Sequence, residues 1–202
     1  MNFLAHLFLA RHDEDWMVGN LIADFISNKE LNGLSPQVRE GVMVHRYIDT
    51  FTDKHEAVKA STRRLRFVYH KYAPVVADIY YDYLLIKNWK KYTDLDFEQF
   101  RYQTYDMLLG RIDEMPSDLK ERLPKMIAHD WLKNYGTEAG LQFTFDQFVK
   151  RTTFKVDFSN AAKILMEYLP EFDEDFNAFF PDIMEYVSEV SVGKGKTVFN
   201  IT

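Results

Sequence analysis

Apolar residues recur three and four positions apart over long stretches of the chain, and the strict alternation that marks a strand is scarce. This spacing predicts a string of helices at about 15–28, 35–51, 54–71, 74–91, 96–112, 117–135, 137–151, 158–169 and 173–190. Ser35-Pro36, Ala73-Pro74 and Met115-Pro116-Ser117 each stand just before such a stretch, where the proline's missing N–H costs a helix nothing. Within 74–91, Val75, Ile79, Leu85 and Ile86 together with Tyr80, Tyr83 and Trp89 cover much of the circumference, as expected of a helix near the middle of a bundle. The fold class is therefore all-α, a single-domain helical bundle over 1–190, with 191–202 as a mobile tail. The tail's Gly193-Lys194-Gly195-Lys196-Thr197 approximates a phosphate loop, but the first glycine of that motif would fall at Val190.

Composition narrows the function. With 202 residues, 47% hydrophobic and 16% aromatic, the chain can bury one sizeable core. A formal net charge of -6 argues against a nucleic-acid partner unless charge is segregated locally. There are no cysteines, which removes disulfides, thiolate metal sites and a cysteine nucleophile. The start, Met1-Asn2-Phe3-Leu4-Ala5-His6, lacks the basic residues and unbroken apolar run of a signal peptide, and no segment stays apolar long enough to span a bilayer. A cytoplasmic protein that engages neither nucleic acid nor membrane is expected.

The densest polar group in an apolar setting is His45-Arg46-Tyr47-Ile48-Asp49-Thr50-Phe51-Thr52-Asp53. A helix puts His45 and Asp49 on one face, where imidazole and carboxylate can share a metal or bond each other. Arg46 and Asp49 are also helical neighbours, for which a surface ion pair is the plain alternative, and Thr52 or Asp53 would serve equally as a helix cap. His6 sits among Leu4, Leu7 and Leu9, a setting more typical of a satisfied core histidine. Asp24 falls inside a predicted hydrophobic helix, and Asp78 and Asp82 lie one turn apart in another; each needs a cation or several donors to offset desolvation. Two histidines and four acids without a thiol form a ligand set suited to a hard or borderline divalent metal. The literal dipeptide His129-Asp130 is read as structural.

Lys59, Arg63, Arg66 and His70 follow helical spacing within 54–71, a stretch containing a single acid, Glu56. They form either a solvated face or a landing site for an anionic partner.

Four stretches resemble the acyl carrier protein phosphodiesterase family, an atypical branch of the histidine–aspartate metal phosphohydrolases. They are Met1-Asn2-Phe3-Leu4-Ala5-His6-Leu7, Gly19-Asn20-Leu21-Ile22-Ala23-Asp24-Phe25, His45-Arg46-Tyr47-Ile48-Asp49 with Thr52-Asp53, and Ala73-Pro74 followed by Asp78 and Asp82. The resemblance covers roughly the first 90 residues and implies a helical bundle like that of the histidine–aspartate phosphohydrolases. It further implies a divalent metal, usually Mn²⁺ with Mg²⁺ as the alternative, held by Asp24, His45, Asp49 and Asp78, with His6, Arg46 and Asp82 as catalytic residues. The implied reaction is hydrolysis of the diester joining 4′-phosphopantetheine to holo acyl carrier protein, whose acidic face would dock on Lys59, Arg63, Arg66 and His70. Tyr83 stands where the family motif has histidine, and Lys87-Asn88-Trp89 departs at Asn88. Two rivals remain open: hydrolysis of a nucleotide or other small phosphoester in the same site, and a non-catalytic helical module that binds an acidic partner.

Overall fold

The computed structural model describes residues 1–150, 152 and 156–192, and among them every regular element is a helix. In chain order these are α1 (Phe3–Leu9), α2 (Glu14–Ile22), α3 (Pro36–Lys54), α4 (Glu56–Tyr69), α5 (Ala73–Lys87), α6 (Trp89–Tyr92), α7 (Phe97–Gly110), α8 (Ser117–Ala128), α9 (Trp131–Asn134), α10 (Glu138–Val149), α11 (Ala161–Glu167) and α12 (Leu169–Val192). Their starts follow the sequence. Asp13, Ser35, Asp96 and Thr137 each accept a backbone N–H from the first turn of α2, α3, α7 and α10.

Helix α5 is the axis of the bundle, with Tyr80, Tyr81, Leu84 and Leu85 wholly buried. The stripe Phe172, Phe176, Phe179 and Phe180 of α12 closes one side, setting Phe176 against Tyr81 and Phe180 against Phe8 of α1. Helices α2 and α3 meet backbone to backbone. A Cβ on Gly19 would lie 2.3 Å from the Val38 carbonyl oxygen, and one on Gly41 would lie 2.7 Å from Trp16 Cα. This close approach draws the end of α2 toward the middle of α3.

Several expected boundaries move. The helix expected over 15–28 ends at Ile22, and Asp24 lies on a 3₁₀ turn, Ala23–Phe25, rather than inside a hydrophobic helix; the backbone is extended at Ile26. Asn88 ends α5, its side chain bonded back to the Leu84 carbonyl at 2.9 Å. The helix expected over 117–135 breaks at Asp130, which takes the left-handed conformation (φ 50°) while its carboxylate accepts from Arg101 Nη1 at 2.6 Å and from the Tyr105 hydroxyl at 2.8 Å. That network assigns Asp130 a structural role. Helix α1, which the spacing did not predict, carries His6. Helix α12 runs to Val192, and residues 193–202 of the expected tail, with the glycine–lysine motif, lie outside the described residues. No helix among the described residues is long and apolar enough to cross a membrane.

Candidate metal centre

Three helices and a turn converge on one cluster. Helix α3 presents His45 and Asp49 on one face, α1 contributes His6, the turn after α2 contributes Asp24, and α5 contributes Asp78. His45 Nε2 lies 3.1 Å from Asp49 Oδ2 and 3.4 Å from Asp24 Oδ1, and His6 Nε2 lies 3.2 Å from Asp49 Oδ1. The two imidazoles stack with centroids 4.0 Å apart. The α-amino group of Met1 sits 3.3 Å from Asp78 Oδ1 and 3.5 Å from Asp49 Oδ1, tying the third carboxylate to the others.

Asn20, for which the sequence suggested no role, fixes one of these rings. Its Nδ2 donates to the carbonyls of Trp16 (3.0 Å) and Gly41 (3.2 Å), so its Oδ1 is the atom that meets His6 Nδ1 at 3.0 Å. The network assigns the proton of a neutral His6 to Nδ1 and leaves a lone pair on Nε2. Burial keeps that ring neutral, lowering its pKa to about 4 despite Asp49 and with the help of His45. The lone pair therefore faces a carboxylate oxygen at 3.2 Å, and Nε2 is buried without hydrogen-bond geometry to any partner. Two lone-pair atoms so placed repel unless a cation lies between them.

His45 differs. Burial alone would lower its pKa, but the bonds to Asp24 and Asp49 outweigh this and raise it to about 9, so in the metal-free protein a proton holds the two carboxylates together. Burial opposes ionisation of Asp49 too, yet both histidines keep its pKa well below the usual carboxylate range; at Asp24 the bond to His45 is the leading cause of a lowered pKa. One ligand atom from each of His6, His45 and Asp49 falls within 4.8 Å of the others, a spacing that fits a single metal ion.

Asp24, His45 and Asp49 line a cleft of about 1080 Å³ together with Asp53, Asp78 and residues of α8 and α10, while His6 is buried beside them and is not part of that lining. Other expected site residues are elsewhere. Asp82 is fully buried, does not line the cleft, and accepts the amides of Leu4 (2.9 Å) and Ala5 (3.0 Å), so it caps α1, whose own N-cap residue, Asn2, makes no capping bond and instead donates to the Tyr135 hydroxyl at 2.9 Å. Arg46 bonds Asn28 Oδ1 at 2.8 Å and does not line the cleft. Lys59 pairs with Glu56 at 2.9 Å, while Arg63, Arg66 and His70 are exposed; none of the four lines the cleft. Tyr83 and Asn88, the departures from the family motif, make structural contacts to Met166 and Asp173.

A sequence profile of the acyl carrier protein phosphodiesterase family matches residues 1–183. The chain belongs to that family. Its relatives include proteins named acyl carrier protein phosphodiesterase from Yersinia enterocolitica (25% identical, covering 95% of this chain and 100% of theirs), Photorhabdus laumondii (27%, 92% and 94%) and Escherichia coli (25%, 93% and 98%). No solved structure matches the chain significantly, so the expected likeness to the histidine–aspartate phosphohydrolases has no structural neighbour behind it. The family match spans both the helices that carry the centre and the α8 and α10 residues of the cleft.

Proposed function

We propose that the protein is a metal-dependent phosphodiester hydrolase that releases 4′-phosphopantetheine from holo acyl carrier protein and leaves the apo protein. The observation that carries this reading is the convergence of His6 Nε2, buried and without a hydrogen-bond partner, with Asp49 and His45 beside the cleft of a chain whose named relatives are acyl carrier protein phosphodiesterases. His6, His45 and Asp49 would hold the metal, with Asp24 beside them. Two imidazoles with carboxylates and no thiol suit Mn²⁺ better than Mg²⁺, which prefers oxygen ligands throughout. Bound there, a divalent ion supplies an acidified water and withdraws charge from the phosphoryl oxygens.

The side chains divide the remaining work. Asp24, whose side chain is 61% exposed, is placed to accept a proton from the attacking water. Asp78, which lines the cleft and meets the Met1 α-amino group at 3.3 Å, would relay a proton to the departing serine oxygen. Water thus forms the new bond to phosphorus, the bond to the serine oxygen breaks, and that oxygen leaves as a hydroxyl. Asp82 supports this arrangement from outside the cleft by anchoring the helix that carries His6. The carrier protein is the partner in this reading, nucleic acid and membrane are not, and the cytoplasm is the site of action. Incubating the protein with holo carrier protein and Mn²⁺ should release free 4′-phosphopantetheine, detected by liquid chromatography, and a chelator should stop the release. Mn²⁺-independent release, or none, would overturn the reading.

A further inference from the structure

The cleft is electrically divided. Its acids, Asp24, Asp49, Asp53 and Asp78, come from the turn after α2 and from α3 and α5, whereas its permanent cations, Arg122, Lys125 and Lys150, come from α8 and the end of α10. Among the described residues no ion pair joins the two groups. Arg122 reaches only Asp118 on its own helix, at 4.0 Å; Lys150 bonds Gln147 at 3.0 Å; and Lys125 has no ion pair. Lys125 and Lys150 thus have no ion pair among the described residues, and Arg122 has only a long one on its own helix, in the cleft of a protein with a net charge of -6. They are an anion-attracting feature beyond the metal centre.

A phosphodiester does not account for them. It carries one negative charge, which the metal centre would receive, and 1080 Å³ exceeds the roughly 300–1,000 Å³ of common small-molecule pockets. The excess positive charge calls for carboxylates on whatever the diester hangs from. Resting on the function proposed above, we propose that Arg122, Lys125 and Lys150 receive an acidic segment of the carrier protein flanking its modified serine, so that docking occurs on α8 and α10 rather than on the stripe of α4. Apolar side chains of α8 and α10 that line the same cleft, Met126, Phe143 and Phe148, would then border the path of the largely uncharged pantetheine arm. Charges so placed act mainly on encounter and affinity, not on the bond-breaking step.

The test uses the full chain with Mn²⁺ and two substrates, holo carrier protein and the small diester bis(p-nitrophenyl) phosphate. The Arg122→Glu/Lys125→Glu protein should raise KM for the carrier at least tenfold, hold kcat within about threefold, and lose most of the salt dependence of KM. Its turnover of the small diester should be unchanged, which also shows that it folds. Anisotropy of labelled holo carrier protein on the metal-free variant should report the same loss of affinity without any chemistry. The Arg63→Glu/Arg66→Glu protein should match the unaltered one throughout. An unchanged KM for the carrier would overturn the proposal, as would a parallel loss on both substrates, which would assign the cations to the phosphoryl group. If the unaltered protein cleaves the small diester and not the carrier, the function proposed above fails first and this docking surface falls with it.

Discussion

At Asp82 two forces of comparable size oppose each other. Amides from Leu4 and Ala5, donated at the start of α1, favour the carboxylate, yet complete burial prevails and raises its pKa from 3.8 to about 7. Because the folded-state pKa lies above the unfolded one, the folded protein keeps a proton that the unfolded chain releases. The stability this group contributes is fully present below the unfolded pKa and is lost as pH rises through about 7. The whole effect is on the order of 4 kcal/mol, more than half of which falls between pH 5 and 8. Asp82→Asn removes the titration. It also turns one acceptor into an NH₂ that meets an N–H, at a cost of about 1–3 kcal/mol for the amide left unpaired. The metal-free variant should therefore melt below the parent at pH 5, and its melting temperature should gain on the parent's by roughly 5–10 °C by pH 8. Thermal unfolding followed by circular dichroism across that range is the assay. A difference that stays constant, or widens against the variant, would refute the dominance of burial. Turnover that collapses by orders of magnitude in a folded Asp82→Asn protein would return Asp82 to the reacting centre.

The other outcomes concern the centre and its scaffold. Asn20→Ala frees the His6 ring and should weaken Mn²⁺ binding roughly 10–100-fold by isothermal calorimetry, with unaltered affinity speaking against the tautomer lock. In metal-free protein followed by NMR, His6 should titrate near 4 and His45 near 9, and Asp49→Asn should bring His45 down because one of its two anionic partners is gone; a His45 pKa that does not move would deny the contact. Gly19→Ala sets a methyl 2.3 Å from the Val38 carbonyl oxygen and should destabilise the fold by about 3 kcal/mol in urea unfolding, whereas a neutral effect would mean that α2 and α3 are not packed so closely.

What could be read from the sequence was whatever depends on local periodicity. His45 and Asp49 share a face because a helix turns every 3.6 residues, and their pairing needed no knowledge of the fold. His6 looked like an ordinary core histidine because its partners, Asn20 and Asp49, arrive from other helices. Asp82 shows the converse: one turn from Asp78, it resembled a second ligand, but α5 turns it toward the amides of α1, a helix of seven residues whose existence the spacing did not reveal. Asp24 was placed within a longer helix because nothing in 15–28 announces the 3₁₀ turn after Ile22. Asp130 is bonded to Arg101 and Tyr105 while its neighbour His129 lines the cleft, as do Arg122 and Lys125, whose place there no local pattern announces because only the tertiary fold brings α8 to the cleft.

The proposed reaction is attack of water on phosphorus beside His6, His45 and Asp49. Its most direct test is single-turnover cleavage of holo carrier protein in heavy-oxygen water with Mn²⁺, followed by mass spectrometry of both products. The account predicts one heavy oxygen in the released 4′-phosphopantetheine and an apo carrier protein of ordinary mass with an unlabelled serine. Heavy oxygen on the serine, a dehydrated residue in its place, or a carrier protein that keeps its prosthetic group would contradict it.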